Sequence, residues 1–161
     1  MPPSPQSPST FDALCEAIDD EYKARAVYRA VIAAFGPVLP FANIVNSEQR
    51  HIETLLHQFR RFGWEAPADR WDGRVVAPSS VAEACRIGVQ AEIDNAALYD
   101  RLFAMTTDAE ILTVFTNLRD ASAERHLPAF QRGLLAGEAG IGRTGGGHRG
   151  HGGGCGGCCR R

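Results

Sequence analysis

The sequence predicts an all-α protein, a four-helix bundle followed by a glycine-rich tail. Three observations carry that expectation. Apolar residues between Phe11 and Ala136 recur at a helical period in four stretches, each about 20 residues long. Glycines, prolines and capping residues punctuate those stretches, and the best strand signal, Val75-Val76, is too short to count. Beyond Ala136 the composition changes in kind: 12 of the 17 glycines fall in residues 137–161. Such a segment cannot bury enough apolar surface to offset its ordering entropy, so residues 137–161 read as a disordered tail.

The first helix is expected from Phe11 to about Phe35, capped by Ser9-Thr10 and stopped by Gly36-Pro37. Its inner stripe is Leu14, Ile18, Glu21, Tyr28, Ile32 and Phe35. The second runs from Phe41 to about Phe62 and stops at Gly63, with Phe41, Ile44, Glu48, Leu55, Phe59 and Phe62 inward. A longer connector follows, and Trp64 and Trp71 within it are expected to cover the bundle end. Ser79-Ser80 with Glu83 has the pattern of a capping box for the third helix, which reaches about Met105. Its stripe is Cys85, Gly88, Glu92, Ala96, Tyr99 and Phe103. Thr107-Asp108 caps the fourth, with Ile111, Phe115, Leu118, Ser122, Ala129 and Phe130 inward. Two short connections and one long one describe a bundle with a crossover between helices two and three. Residues 1–10 are proline-rich and polar, and are expected to be disordered.

Composition narrows the function. With 161 residues, 44% of them hydrophobic, the chain can bury a core as one domain. The net charge of −2 argues against a dedicated nucleic-acid binder. It divides unevenly: four arginines against Glu138 make the tail +3, which leaves the body at −5. No run approaches the roughly 18 apolar residues of a membrane span, and the N-terminus lacks a signal-peptide pattern. The expectation is a cytoplasmic protein that binds neither membrane nor nucleic acid. Five cysteines, three of them in the last seven residues, do not form a disulfide framework.

The chemistry lies where the core should be. Glu21, Glu48 and Glu92 sit near the middle of three apolar stripes, and His51 follows Glu48 by three residues on the same face. His126 lies near the fourth stripe, about 60° off its centre at about 100° per helical residue. Three carboxylates aimed into one interior lose hydration and repel, at several kcal/mol per charge. Protonation, arginine partners (Arg25, Arg50 or Arg86) or bound cations must offset that cost. Glu-x-x-His presents oxygen and nitrogen donors to one ion, a mixed set that suits iron, manganese or zinc rather than calcium.

Four blocks strengthen the metal reading. They are Glu21-Tyr-Lys-Ala-Arg-Ala-Val-Tyr28, Phe41-Ala-Asn-Ile-Val-Asn-Ser-Glu-Gln-Arg-His51, Ala91-Glu-Ile-Asp-Asn-Ala96 and Arg125-His-Leu-Pro-Ala-Phe130. In them the chain resembles a prokaryotic ferritin-like domain family of unknown function, distantly similar to rubrerythrin. The resemblance spans about Phe11 to Phe130, and the second block is its most specific part. It implies a ferritin-like bundle with two iron ions (or manganese or zinc) on Glu21, Glu48, His51, Glu92 and His126. It also implies reaction with oxygen or peroxide, as a ferroxidase or a rubrerythrin-like peroxidase.

Two departures matter. Ala123 stands where a ferritin-like fourth helix would offer Glu three residues before its histidine, and Glu124 faces elsewhere. The acid that the family places three residues after the third-helix Glu is Asn95 here, at most a weak sixth ligand. Three carboxylates against two divalent ions leave one positive charge unmatched, so one metal position is expected to be weaker. Asn95→Asp is expected to strengthen it. Tyr28, Tyr99 and Arg25 are candidates for the layer around the ligands, where a tyrosine can hydrogen-bond a carboxylate or serve simply as core. Pro128 is expected to kink the fourth helix and turn His126 inward.

The tail offers His148, His151, Cys155, Cys158 and Cys159, whose single Cys-x-x-Cys suits zinc or copper(I) or redox use but is not a rubredoxin module. A second function is therefore a metal buffer or delivery protein that uses the core site and the tail. The bundle class is also compatible with a homodimer.

Overall fold

A computed structural model describes residues 9–141, with side chains described through Gly137. The proposed tail donors His148, His151, Cys155, Cys158 and Cys159, and residues 1–8, lie outside the described residues. The chain forms helices α1 (Thr10–Phe35), α2 (Phe41–Arg61), α3 (Val81–Leu102), α4 (Ala109–Ala121) and α5 (Leu127–Ile141). A 3-10 turn, Phe103–Met105, follows α3, and a π-turn, Ser122–His126, joins α4 to α5 as one interrupted rod. The four rods make an all-α bundle, and no strand occurs among the described residues.

Local chemistry sets the boundaries. Ser9 caps α1: its hydroxyl accepts from the Asp12 N–H, and the Asp12 carboxylate accepts from the Ser9 N–H. The helix ends at Gly36, whose φ of 81° lies in the region that only glycine enters cheaply. Ser80 caps α3 through the Glu83 N–H, while the Glu83 carboxylate turns back to Ser79. Asp108 caps α4 by accepting from the Glu110 and Ile111 amides. Helix α5 runs through Ile141, five residues past the boundary expected at Ala136.

The crossover is held against α1. Trp64 stacks on Phe62, with centroids 4.3 Å apart, and meets Phe11 edge-on, so it covers the end where α1 begins and α2 finishes. Trp71 does not share that position. Its indole N–H donates to Asp19 at 3.0 Å, Arg70 pairs with the same carboxylate, and Arg25 and Arg29 reach Asp69 and Asp72. Residues 69–72 thus run along the flank of α1, and the connector carries the chain to the opposite end. Helix α3 accordingly runs antiparallel to α1, as the crossed pairs Tyr28–Glu92 and Tyr99–Glu21 require.

Two apolar clusters occupy the bundle. One gathers Leu14, Ile18, Ile52, Leu55, Phe59, Tyr99, Leu102, Ile111 and Phe115, each no more than 1% exposed. The other gathers Tyr28, Val31, Phe41, Ile44, Cys85 and Phe130. Removing one of their large side chains costs about 2–5 kcal/mol. Gly88 lets α3 approach α5 closely, since a Cβ there would stand 2.7 Å from the Phe130 ring. Glu21, Glu48, His51, Glu92 and His126 lie between the clusters and divide the apolar core.

Candidate metal centre

All five residues named from the stripes converge. Glu21, Glu48 and His51 form one buried group, and Glu48, Glu92 and His126 form another, each with its donor atoms within 4.8 Å of one another. Glu48 belongs to both. Its Oε2 lies 2.9 Å from His51 Nδ1 and its Oε1 lies 3.1 Å from His126 Nδ1. His51 Nδ1 is also 3.1 Å from Glu21 Oε2, and His126 Nδ1 is 3.6 Å from Glu92 Oε2. The two imidazoles stack, 5.5 Å between centroids.

The tyrosines complete a crossed arrangement. Tyr28 on α1 donates to Glu92 Oε1 on α3 at 2.9 Å, and Tyr99 on α3 donates to Glu21 Oε1 on α1 at 2.8 Å. Each tyrosine follows the glutamate of its own helix by seven residues and serves the glutamate of the other. Each hydroxyl takes one carboxylate oxygen and leaves the second facing a histidine.

The path of His126 differs from that expected. A regular helix would leave it off the stripe. The Leu127 N–H instead donates to the Ser122 carbonyl, a five-residue step that spreads an extra residue over one turn. That slackening takes back the excess rotation and buries both Ser122 and His126, while Ala123 stays exposed. The phase correction therefore precedes Pro128, and the face shared with His126 belongs to Ser122.

Ser47 escaped the sequence reading. Its Oγ lies 3.3 Å from His51 Nε2 and 3.1 Å from His126 Nε2. With two lone pairs it can accept an N–H from both rings and so direct both Nδ1 atoms at the carboxylates. The available signal was its place four residues before His51, on the same helical face. Arg25, by contrast, turns away from Glu21: it donates to Gln49 at 2.5 Å and Asp69 at 2.7 Å. Among the described residues no arginine or lysine pairs with Glu21, Glu48 or Glu92. Asn95 Nδ2 donates to Asp20 Oδ2 at 2.8 Å, which leaves its buried Oδ1 without a partner.

Burial and charge set the protonation. Burial, helped by the Glu48 charge, raises the Glu21 carboxyl. Burial also opposes ionisation of Glu48, but the His126 and His51 imidazoles against its two oxygens outweigh it and hold that carboxyl low. Burial disfavours charge on the imidazoles, yet their carboxylate partners push His51 up to about 10 and His126 up to about 9. Without metal, protons on the two rings are thus the cations that balance the cluster.

The donor set fits a metal. It is buried and mixes carboxylate oxygen with imidazole nitrogen. His126 Nδ1 adds a specific sign. It is buried near Glu48 Oε1 yet lacks the alignment of a hydrogen bond with any partner, so one donor atom is held in place without being satisfied.

A family model described as "Uncharacterized protein domain (DUF2202)" matches residues 11–141. No curated protein is a significant match. Among solved structures, a hypothetical protein from Methanococcus jannaschii superposes with a TM-score of 0.73 at 23% identity, over 86% of each chain. A conserved hypothetical protein from Mycobacterium tuberculosis gives 0.66 at 22% identity, over 79% of this chain and 91% of that one. At such identities the likeness speaks for the shared fold. No helix among the described residues is long and apolar enough to cross a membrane.

Proposed function

The chain belongs to the DUF2202 family of uncharacterised domains, and we propose that its buried cluster is the dinuclear iron centre of a ferritin-like oxidoreductase. The carrying observation is that Glu48 offers one oxygen to each of two Glu/His groups. Glu21 and His51 would hold one ion, Glu92 and His126 the other, and Glu48 would bridge them. Asn95, whose amide nitrogen is committed to Asp20, would have its unpartnered Oδ1 to offer as a weak sixth ligand. Bound iron supplies electrons and Lewis acidity for oxidation by oxygen or for reduction of peroxide. The chain's own part is to orient the donors. Tyr28 and Tyr99 fix the outer oxygens of Glu92 and Glu21, Ser47 fixes the rings, and the apolar clusters pack on either side of the site.

Metal analysis of protein purified without oxygen tests this reading. Two irons per chain are expected, retained when the chain ends at residue 141 and lost in Glu48→Ala/His51→Ala. That end point keeps α5 whole. Metal that disappears with the tail instead would favour a buffer or delivery role and overturn the core centre.

A further inference from the structure

Beside the imidazoles lies a cleft whose charge is unlike that of the carboxylate cluster. It measures about 540 Å³ and opens between α2, α4 and the π-turn. Ser47, Arg50 and His51 line it from α2, Val114, Asn117 and Leu118 from α4, and Arg125 from the turn. No aspartate or glutamate is among its lining residues. The body of the chain carries −5, so a cleft with two arginines and no acid runs against the sign of the molecule around it.

Among the described residues neither Arg50 nor Arg125 pairs with an acid. Two guanidiniums that share a cleft repel, and an anion between them turns that repulsion into attraction. Each presents a fork of N–H groups that matches the oxygens of a phosphate or a carboxylate. Ser47 adds a donor. Its Oγ lies 3.3 Å from His51 Nε2 and 3.1 Å from His126 Nε2. When both rings donate, its lone pairs are filled, and its own hydrogen has no other acceptor among the described residues. Thr54, also on the cleft, gives its hydroxyl hydrogen to the Arg50 carbonyl instead. Asn117 carries a further amide donor. Two forks, an amide and a hydroxyl offer more hydrogens than the two oxygens of a monocarboxylate accept; a phosphate group has the oxygens to take them. The volume falls within the range of about 300–1,000 Å³ that holds small organic ligands, and Val114 and Leu118 give an apolar wall for an organic part.

We propose that this cleft binds a phosphate group, free or at the end of a small ester, held between Arg50 and Arg125 with the Ser47 hydroxyl donating to it. The phosphate then sits on the Nε2 side of the histidines, whose Nδ1 atoms face the carboxylates. Its influence on a bound metal, through Ser47 and the rings, rests on the metal reading above; its binding does not.

Amide chemical-shift titration of the full, metal-free chain at constant ionic strength tests the cleft, with inorganic phosphate, phenyl phosphate and acetate as probes. Both phosphates are expected to shift the amides of Ser47, Arg50, Asn117 and Arg125, and to bind about tenfold more tightly than acetate. Tighter binding of phenyl phosphate would identify an ester as the ligand; equal binding would identify the free ion. Arg50→Gln and Arg125→Gln should each weaken phosphate about tenfold, and Ser47→Ala several-fold. Lys23→Gln, which removes a charge outside the cleft, should leave binding unchanged. Absence of those shifts, acetate bound as tightly as phosphate, or equal losses in Lys23→Gln and the arginine variants would overturn the proposal. Zinc stoichiometry, read in phosphate-free buffer, should be the same in both arginine variants as in the unaltered chain; its loss in them would assign the arginines to the metal centre and overturn the proposal too. Failure of the unaltered chain to take up zinc would count against the metal centre alone, because the phosphate titration is metal-free.

Discussion

The two halves of the buried cluster present the same donors by different means. In the first, Glu21 and Glu48-x-x-His51 project from uninterrupted helices, and simple periodicity places them. In the second, Glu92 comes from a regular helix but His126 reaches Glu48 only through the π-turn at Ser122–His126. The distances record the difference. His51 Nδ1 lies 2.9 and 3.1 Å from its two carboxylates, whereas His126 Nδ1 lies 3.1 and 3.6 Å from its own. A pair fixed by helix geometry is tight, and one that depends on an irregular turn is looser. If each half holds an ion as proposed, the second half would be the weaker position.

The largest effect should come from the residue the halves share. Glu48→Ala removes a donor from both, and metal affinity should fall more than about 100-fold at each position, beyond the about 10–100-fold typical of outer-shell changes. Calorimetric titration would read it; loss of one ion alone would show that Glu48 is not shared. Ser47→Ala should lower affinity about 10–100-fold in both halves by freeing both rings. An effect confined to one half would mean that Ser47 orients only one imidazole.

Protonation gives a smaller effect that sharpens the contrast between bare and loaded protein. Both histidines titrate higher in the fold than their usual 6.5. Their contribution to metal-free stability is complete below pH 6.5 and is lost as pH rises through about 9 and about 10. Metal must displace those same protons, so its affinity should rise across that window. The melting temperature of metal-free protein should fall with pH while the gap to loaded protein widens. A constant gap would place the metal elsewhere. The smallest change expected is a gain: Ser122→Asp, on the face shared with His126, should tighten the second position, whereas Ala123→Asp should not. Competition against a chelator would rank the two variants.

These halves also mark how far the sequence could be read. The four helices, their caps and the five converging residues were legible because each is a matter of spacing: an acid on a 3.6-residue stripe, a Ser before a helix, a Gly after one. Ser47 was hidden because a small hydroxyl next to Glu48 looks like any half-buried residue. The π-turn was hidden because a one-residue slip of phase has no propensity of its own, which is why Pro128 attracted the explanation and Ala123 was assigned the face of Ser122. Arg25 was misdirected because its helix offers Glu21 one turn away, whereas its partners Gln49 and Asp69 come from α2 and the crossover. No spacing in the sequence pairs Asp20 with Asn95; only the packing of α3 against α1 brings them together.

Cobalt(II) titration of the metal-free chain, followed by visible absorption, tests the central claim most directly. Two ions per chain should bind in two resolved steps, the weaker step vanishing in His126→Ala and the tighter one in His51→Ala. Binding of a single ion, or of two that survive both substitutions, would contradict a two-half centre built around Glu48.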